Sequence, residues 1–252
     1  MILTIHVGLP KCASTSLQAA LFDCNFVLFP RNGLHHFEHI AIPLKLKGID
    51  KWTSQWIAED WVDCAYQSLI SEIKNSGHQH IIVSSERLAD VSLELLDRFI
   101  AEFSGVKINI LYLYRPVDSY ISSVWKHAVF RHDLSVDFET FKKSFNGFDP
   151  IKIASNFSER YETHLIDISR PDWTGLLEDI LGVVPDIQNE NISAPFEACY
   201  FLQKIHQSIG TEKYKSYFNA QRKQEIAELF MGECESKLEP FDVPIIRGLE
   251  GK

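Results

Sequence analysis

A lysine and three hydroxyls crowd into nine residues near the start of the chain: Gly8-Leu9-Pro10-Lys11-Cys12-Ala13-Ser14-Thr15-Ser16. They follow the apolar run Ile2–Val7, which reads as a strand, and precede Leu17, Ala20 and Leu21, spaced as one buried helix face. Strand, tight turn and hydroxyl-rich helix start form a layout for holding a phosphate or sulfate group. Free backbone N–H groups at a helix N-terminus, with the helix dipole behind them, attract negative charge. Ser14, Thr15 and Ser16 add side-chain donors, and Lys11 adds a point charge. A serine that merely caps the helix is the plainer reading, but a cap needs neither the lysine nor the other hydroxyls.

A second segment carries matching chemistry. The strand-like run Lys107–Tyr114 leads into Arg115-Pro116-Val117-Asp118-Ser119-Tyr120-Ile121-Ser122-Ser123-Val124-Trp125. A guanidinium at a strand end gives a forked, charge-assisted contact to phosphate oxygens. Pro116 suits the first turn of a helix, and Asp118 suits the positive end of its dipole. Between the two segments, Ser84-Ser85-Glu86-Arg87 follows the apolar Ile81–Val83 and offers a carboxylate as a proton acceptor. Glu86 reads equally as an ordinary carboxylate at a helix start paired with Arg87.

The first loop is not a standard P-loop, which ends in Gly-Lys-Ser/Thr with the lysine on the first helical turn. Here the lysine comes three residues before Ser14. The arrangement resembles the 5′-phosphosulfate loop of sulfotransferases that use 3′-phosphoadenosine 5′-phosphosulfate (PAPS), in their bacterial and carbohydrate-type branch. The family pattern Gly-x-Pro-Lys-x-Gly-Thr-Thr-Ser-Leu is matched at Gly8, Pro10, Lys11, Thr15, Ser16 and Leu17, and Gln18 continues the bacterial form. Ser14 stands for a threonine, and Ala13 stands for a glycine, a costly exchange wherever φ must be positive.

The resemblance implies a cofactor cradle of Lys11, Cys12, Ala13, Ser14, Thr15 and Ser16, with Arg115 and Ser123 gripping the 3′-phosphate. Ser122 is the reserve for Ser123, because the family often has one more residue between Arg and Pro. It also implies Lys11 and Glu86 as catalytic residues, Glu86 being the base on the acceptor. The function implied is transfer of a sulfuryl group from PAPS to a hydroxyl or amine of a small molecule or saccharide, without a metal. Two rivals are a P-loop kinase, which would need the missing Gly-Lys-Ser/Thr ending, and a non-catalytic nucleotide-binding module.

The bulk properties bound these readings. The 252 residues carry a net charge of −9, against sequence-independent nucleic-acid binding. No apolar run reaches membrane-spanning length, and the start lacks the pattern of a signal peptide. Five scattered cysteines suggest neither a disulfide framework nor a zinc knuckle, and a reducing, cytoplasmic setting is expected. His35, His36 and His39 form a His-His-x-x-His group without a completing carboxylate or cysteine, so surface or acceptor-side histidines are expected there rather than a metal site.

These residues need a scaffold that gathers them. Strands are predicted at about 2–7, 25–29, 79–84, 107–114 and 163–168, and helices at 55–75, 92–104, 116–130, 136–145, 172–182, 197–209 and 221–237. Segments 30–54 and 185–196 read as connections, and Asn189-Glu190-Asn191 resembles a short Asn-rich stretch of bacterial members. The alternation predicts an α/β fold, residues 1–252 as one sulfotransferase-like domain, with a P-loop-like parallel sheet flanked by helices on both faces. In such a sheet ligands bind at the carboxyl ends of the strands, where loop 8–16, Ser84–Arg87 and Arg115 all fall.

Overall fold

A computed structural model of the chain describes residues 1–49, 60–182, 187 and 194–231. Four strands, β1 (Ile2–Gly8), β2 (His80–Ser84), β3 (Lys107–Tyr114) and β4 (Glu162–Asp167), form an all-parallel sheet in the order β2-β1-β3-β4. Residues Leu3–Gly8 of β1 are fully buried in an unbroken run, as are Asn109–Leu113 of β3. Successive strand residues point to opposite faces, so such runs require cover on both sides. Helices supply it, and the protein is an α/β fold with a helix-flanked parallel sheet, as the alternation predicts.

The chain gathers into two compact units, Met1–Ile121 with Phe145–Ile192, and Ser122–Ser144 with Ser193–Lys252. The first holds the sheet and helices α1 (Ser14–Phe22), α2 (Ala41–Leu46), α3 (Trp61–Asn75) and α4 (Leu93–Ile100). Helix α5 (Val117–His132) begins in the first unit and continues into the second. The second unit also contains α6 (Phe138–Lys143), while α7 (Pro150–Ser158) and α8 (Leu176–Leu181) return to the first. Among the described residues the second also holds α9 (Phe196–Ile209), α10 (Thr211–Tyr217) and α11 (Ala220–Phe230). Its core is built on Trp125, Val129, Leu202, Ile205 and Tyr214.

Local chemistry explains most boundaries. The four-residue recurrence from Trp61 buries Val62, Ala65, Tyr66, Leu69, Ile70 and Ile73, and the helix ends at Asn75, before Gly77 takes φ +54°. Ser92 caps α4 by accepting from Leu95 N, and Asp137 caps α6 by accepting from Thr140 N.

Several expectations need correction. The predicted strand 25–29 is reduced to one parallel bridge, Leu28 to Ile81, with Leu28 N donating to His80 O and Ile82 N to Leu28 O. Val27 and Phe29 beside Leu28 are buried, but Phe26 is exposed and no second residue of the run pairs with β2. The connection 30–54 contains α2, whose apolar Ala-Ile-Pro-Leu start is short but buried. Helix α7 went unread although Asp149-Pro150 is a strong start signal: Asp149 accepts from Ile151 N and Lys152 N, and Pro150 needs no partner. Helix α10 was also unread. Residues 55–59 of the predicted helix 55–75 lie outside the described residues, and the helix predicted at 92–104 spans Leu93–Ile100. The end of 221–237 and Asn189-Glu190-Asn191 also lie outside the described residues.

The strand order places the site. β1 has β2 on one side and β3 on the other, so the chain changes direction of progress at β1, and the carboxyl end of such a switch point is where open α/β sheets bind their ligands. The register aligns His6 with Ser84 and Gly8 with Leu113. Loop 8–16, Ser84–Glu86 and Arg115 therefore leave the sheet at the same edge.

Candidate active site

After Gly8 the backbone turns sharply to start α1. Lys11 takes φ +68° and Ala13 takes φ +61°, ψ +15°, both left-handed. Such conformations in non-glycine residues cost free energy and cluster at functional sites. The position that the sequence pattern reserves for glycine thus does require positive φ, and here alanine bears it. Ala13 also begins α1 by accepting from Leu17 N through its carbonyl, with no side-chain cap. The first-turn N–H groups of this nine-residue helix consequently have no capping side chain before them.

The side chains of the loop divide by direction. Cys12 is fully buried, and burial pushes its thiol up to about 12, against the opposing pull of the Arg115 charge. It is a core anchor, leaving its backbone to the loop. Ser14 is buried, Ser16 nearly so, and Thr15 is exposed. Ser14 Oγ has no hydrogen bond of good geometry, although it stands near enough to Glu86 to draw that carboxyl's proton affinity down.

Arg115, at the end of β3, donates from Nε to the Lys11 carbonyl at 2.8 Å. That bond ties the left-handed turn to the neighbouring strand. Glu86 opens a 3₁₀ turn, Glu86–Asp90, just past β2. Burial, and next the Glu38 charge, raise its carboxyl above the usual carboxylate range, while Ser14, Lys11 and Arg87 pull it back. Ser85, one residue earlier, donates from its hydroxyl to Glu38 Oε1 at 2.6 Å and from its N–H to the His6 carbonyl. Tyr120, on the first turns of α5, is buried and its phenol is pushed up to about 12, by burial and then by Cys12, Glu86 and Asp90. Lys11, Cys12, Ser14, Glu86 and Arg115 are therefore gathered at one sheet edge, and the geometry adds Glu38 and Tyr120. Ser123 is buried on α5, just inside the second unit.

Beneath the loop is a polar layer that the sequence reading passed over. His6 Nδ1 lies 2.7 Å from Ser84 Oγ, which also receives a bond from Gln18 Nε2 at 2.9 Å. His6 is wholly buried and its proton affinity falls to about 3, through burial alone. The available signal was a histidine inside an otherwise apolar strand.

Other sequence candidates are structural. His39 is buried, accepts from Ser84 N through Nδ1 at 3.1 Å, and lies 3.0 Å from the Pro30 carbonyl through Nε2. It holds the connection against the end of β2 and serves neither a metal nor an acceptor. Lys223 of α11, a cation in the C-terminal part of the chain, is committed to Asp133 and to the Phe130 carbonyl inside the second unit. Among the described residues no group of three or more His, Cys, Asp and Glu side chains could hold a metal ion. An open groove of about 600 Å³ lies at the opposite end of the sheet, lined by Leu28, Glu72, Asn75, Ser76, Gly77 and His78, away from every catalytic candidate.

Set against known proteins, the chain matches no family model and no curated protein. Among the described residues no helix is long and apolar enough to cross a membrane.

Proposed function

We propose that the protein is a PAPS-dependent sulfotransferase acting on a hydroxyl or amine of a small-molecule or saccharide acceptor. The observation that carries this reading is the placing of a carboxyl with raised proton affinity, Glu86, beside Lys11 and Ser14 of an anion loop. A carboxyl poised above its ordinary range suits a general base better than a surface ion pair does. The residues also fit the donor: an uncapped helix N-terminus and a buried Ser14 Oγ without a hydrogen bond of good geometry invite an anionic oxygen.

In this reading the donor supplies an activated sulfuryl group on a phosphate leaving group. Glu86 takes the acceptor proton as the acceptor oxygen or nitrogen bonds to sulfur. The sulfur–oxygen bond to the phosphate breaks, and its electron pair stays on the phosphate oxygen. Lys11 and the first-turn N–H groups of α1 answer the charge that grows there, and preorganised charge of this kind is the main source of rate in such transfers. Arg115, and Ser123 by its spacing along α5, would hold the 3′-phosphate. A reducing, cytoplasmic setting belongs to this reading as an expectation.

Calorimetry with adenosine 3′,5′-bisphosphate against ATP–magnesium tests the reading, together with turnover of labelled PAPS over a panel of hydroxylated acceptors. Preference for the bisphosphate with transfer is expected. A preference for ATP–magnesium would favour a kinase, and bisphosphate binding without transfer to any acceptor would favour a binding module. Lys11→Ala should lower turnover by about two orders of magnitude or more and change bisphosphate affinity less. Equal losses in both would make Lys11 a phosphate anchor only.

A further inference from the structure

Two buried polar atoms beneath the loop are left open: His6 Nε2 has no hydrogen-bond partner, and Ser14 Oγ has none of good geometry, although the Glu86 carboxyl stands close to it. They flank the same point. A Cβ placed on Gly8 would sit 3.2 Å from His6 Nε2, 3.4 Å from the Leu113 carbonyl oxygen and 3.6 Å from Ser14 Oγ, so a side chain at Gly8 would crowd the space these polar atoms share. Buried polar atoms are rarely left unsatisfied, because each gives up its hydrogen bond to water and gains none in return. Two of them side by side, under an anion loop, ask for a partner that arrives later.

The surrounding bonds admit a consistent set of proton positions. Gln18 Nε2 donates to Ser84 Oγ, and the serine's own proton is free to go to His6 Nδ1. With Nδ1 accepting and the ring neutral in its apolar strand, the imidazole proton sits on Nε2. Nε2–H is then a fixed donor directed at the Gly8–Ser14 side. His39, by contrast, has partners at both ring nitrogens and faces no open group.

We propose that His6 is a positioning residue of the anion loop: its Nε2–H donates to Ser14 Oγ when the loop holds an anion, which turns the serine proton outward onto an oxygen of that anion. A serine hydroxyl is both donor and acceptor, and an inner donor decides which way its single proton points. Gln18 and Ser84 fix the ring, the ring fixes Ser14, and Ser14 meets the ligand. The inference rests on the loop binding an anion, the first step of the proposed function, but not on sulfuryl transfer itself.

The test uses the full chain with ¹⁵N-labelled histidine. His6 should show the neutral Nε2–H tautomer and no titration between about pH 5 and 8. Its Nε2–H resonance should shift on adding inorganic pyrophosphate or adenosine 3′,5′-bisphosphate, and that shift should vanish in Ser14→Ala. An Nδ1–H tautomer, an ordinary titration, or an anion-induced shift that survives Ser14→Ala would overturn the proposal, as would failure of both anions to bind. A shift with pyrophosphate but no preference for the bisphosphate would leave the role of His6 standing while removing the sulfotransferase reading.

A double-mutant cycle reads the same linkage in affinity. His6→Leu and Ser14→Ala should each weaken bisphosphate binding about three- to tenfold, the worth of one neutral hydrogen bond. The double variant should be no worse than either single one, since both break one chain of contacts. His6→Gln, which can present a donor at a similar reach, should recover most of the loss. Additive losses, or a glutamine as weak as leucine in a protein that melts like the wild type, would make His6 a packing residue only.

Discussion

The two units bury ionisable groups in opposite ways. In the second, Lys223 of α11 pairs with Asp133 and donates to the Phe130 carbonyl, with only 6% of its side chain exposed. A positive group meets one negative group and a carbonyl, and the pair is electrostatically closed. In the first unit, Glu86 is buried beside a second carboxylate, Glu38, and the cations Lys11 and Arg87 do not offset the combined effect of burial and repulsion. Matched charges hold a fold together. A carboxyl left with raised proton affinity, next to an anion loop, is a group kept ready to exchange a proton.

The sharpest way to break this contrast is Glu86→Gln. Turnover should fall about 100- to 10,000-fold, the usual worth of a general base. The pH dependence should follow the same group. Because the base must be ionised, the acid limb of turnover should lie above the ordinary carboxylate range in the wild type and be absent from any residual activity of the variant. Stability should move the other way. The folded protein holds the Glu86 proton more tightly than the unfolded chain, so stability falls as pH rises from the unfolded value through the folded one. Glu86→Gln should therefore melt at the same temperature as wild type in acid and higher at neutral pH. A variant that is both inactive and less stable at pH 7 would show Glu86 to be part of a matched pair after all.

Asp133→Ala makes the converse test. Removing one member of a buried pair leaves the other charge unmatched, at a cost of about 3 kcal/mol. The denaturant midpoint should fall accordingly, with bisphosphate affinity unaffected in the folded protein. Loss of nucleotide binding without loss of stability would move Lys223 into the site.

Arg115→Ala probes both kinds of role at once. If it contacts the 3′-phosphate, bisphosphate affinity should fall about ten- to a hundredfold, the worth of a charge-assisted bond. The bond from Nε to the Lys11 carbonyl adds a smaller loss shared by 5′-AMP, because the loop loses its brace. Equal weakening of both nucleotides would leave Arg115 as a brace alone.

The smallest effect is expected from Ala13→Gly. Relief of the left-handed strain at φ +61° should raise stability by about 1 kcal/mol, less the extra freedom glycine gives the unfolded chain. Unchanged or lower thermal stability would mean that this turn carries no strain.

Much of this was legible along the chain, because the signals were local. Apolar runs and four-residue recurrences marked four of the five proposed strands and the helices α3, α5 and α9 to within a few residues at most of their ends. The loop and Arg115 stood out by residue type and spacing, since anion binding demands those types close in sequence. The strand at 25–29 failed because a strand is made by its partners: apolar residues there qualified, but only Leu28 reached the edge of β2. Helices α2 and α10 are short and held by packing, which no period within six or seven residues can announce.

The sequence by itself determined the α/β alternation and the types of group that could meet an anion. Each depends on neighbours a few residues away. Only the tertiary structure decided which of them stand together and which are closed off. It gathered Lys11, Ser14, Glu86 and Arg115 through the register of three strands, set Glu38 against Glu86, and withdrew His39 and Lys223 into structural bonds. It also turned His6 from an odd residue in a strand into a buried donor under the loop. The reason is physical: burial and charge are set by groups brought together from distant parts of the chain, and they decide whether a polar residue holds the fold or is left open for chemistry.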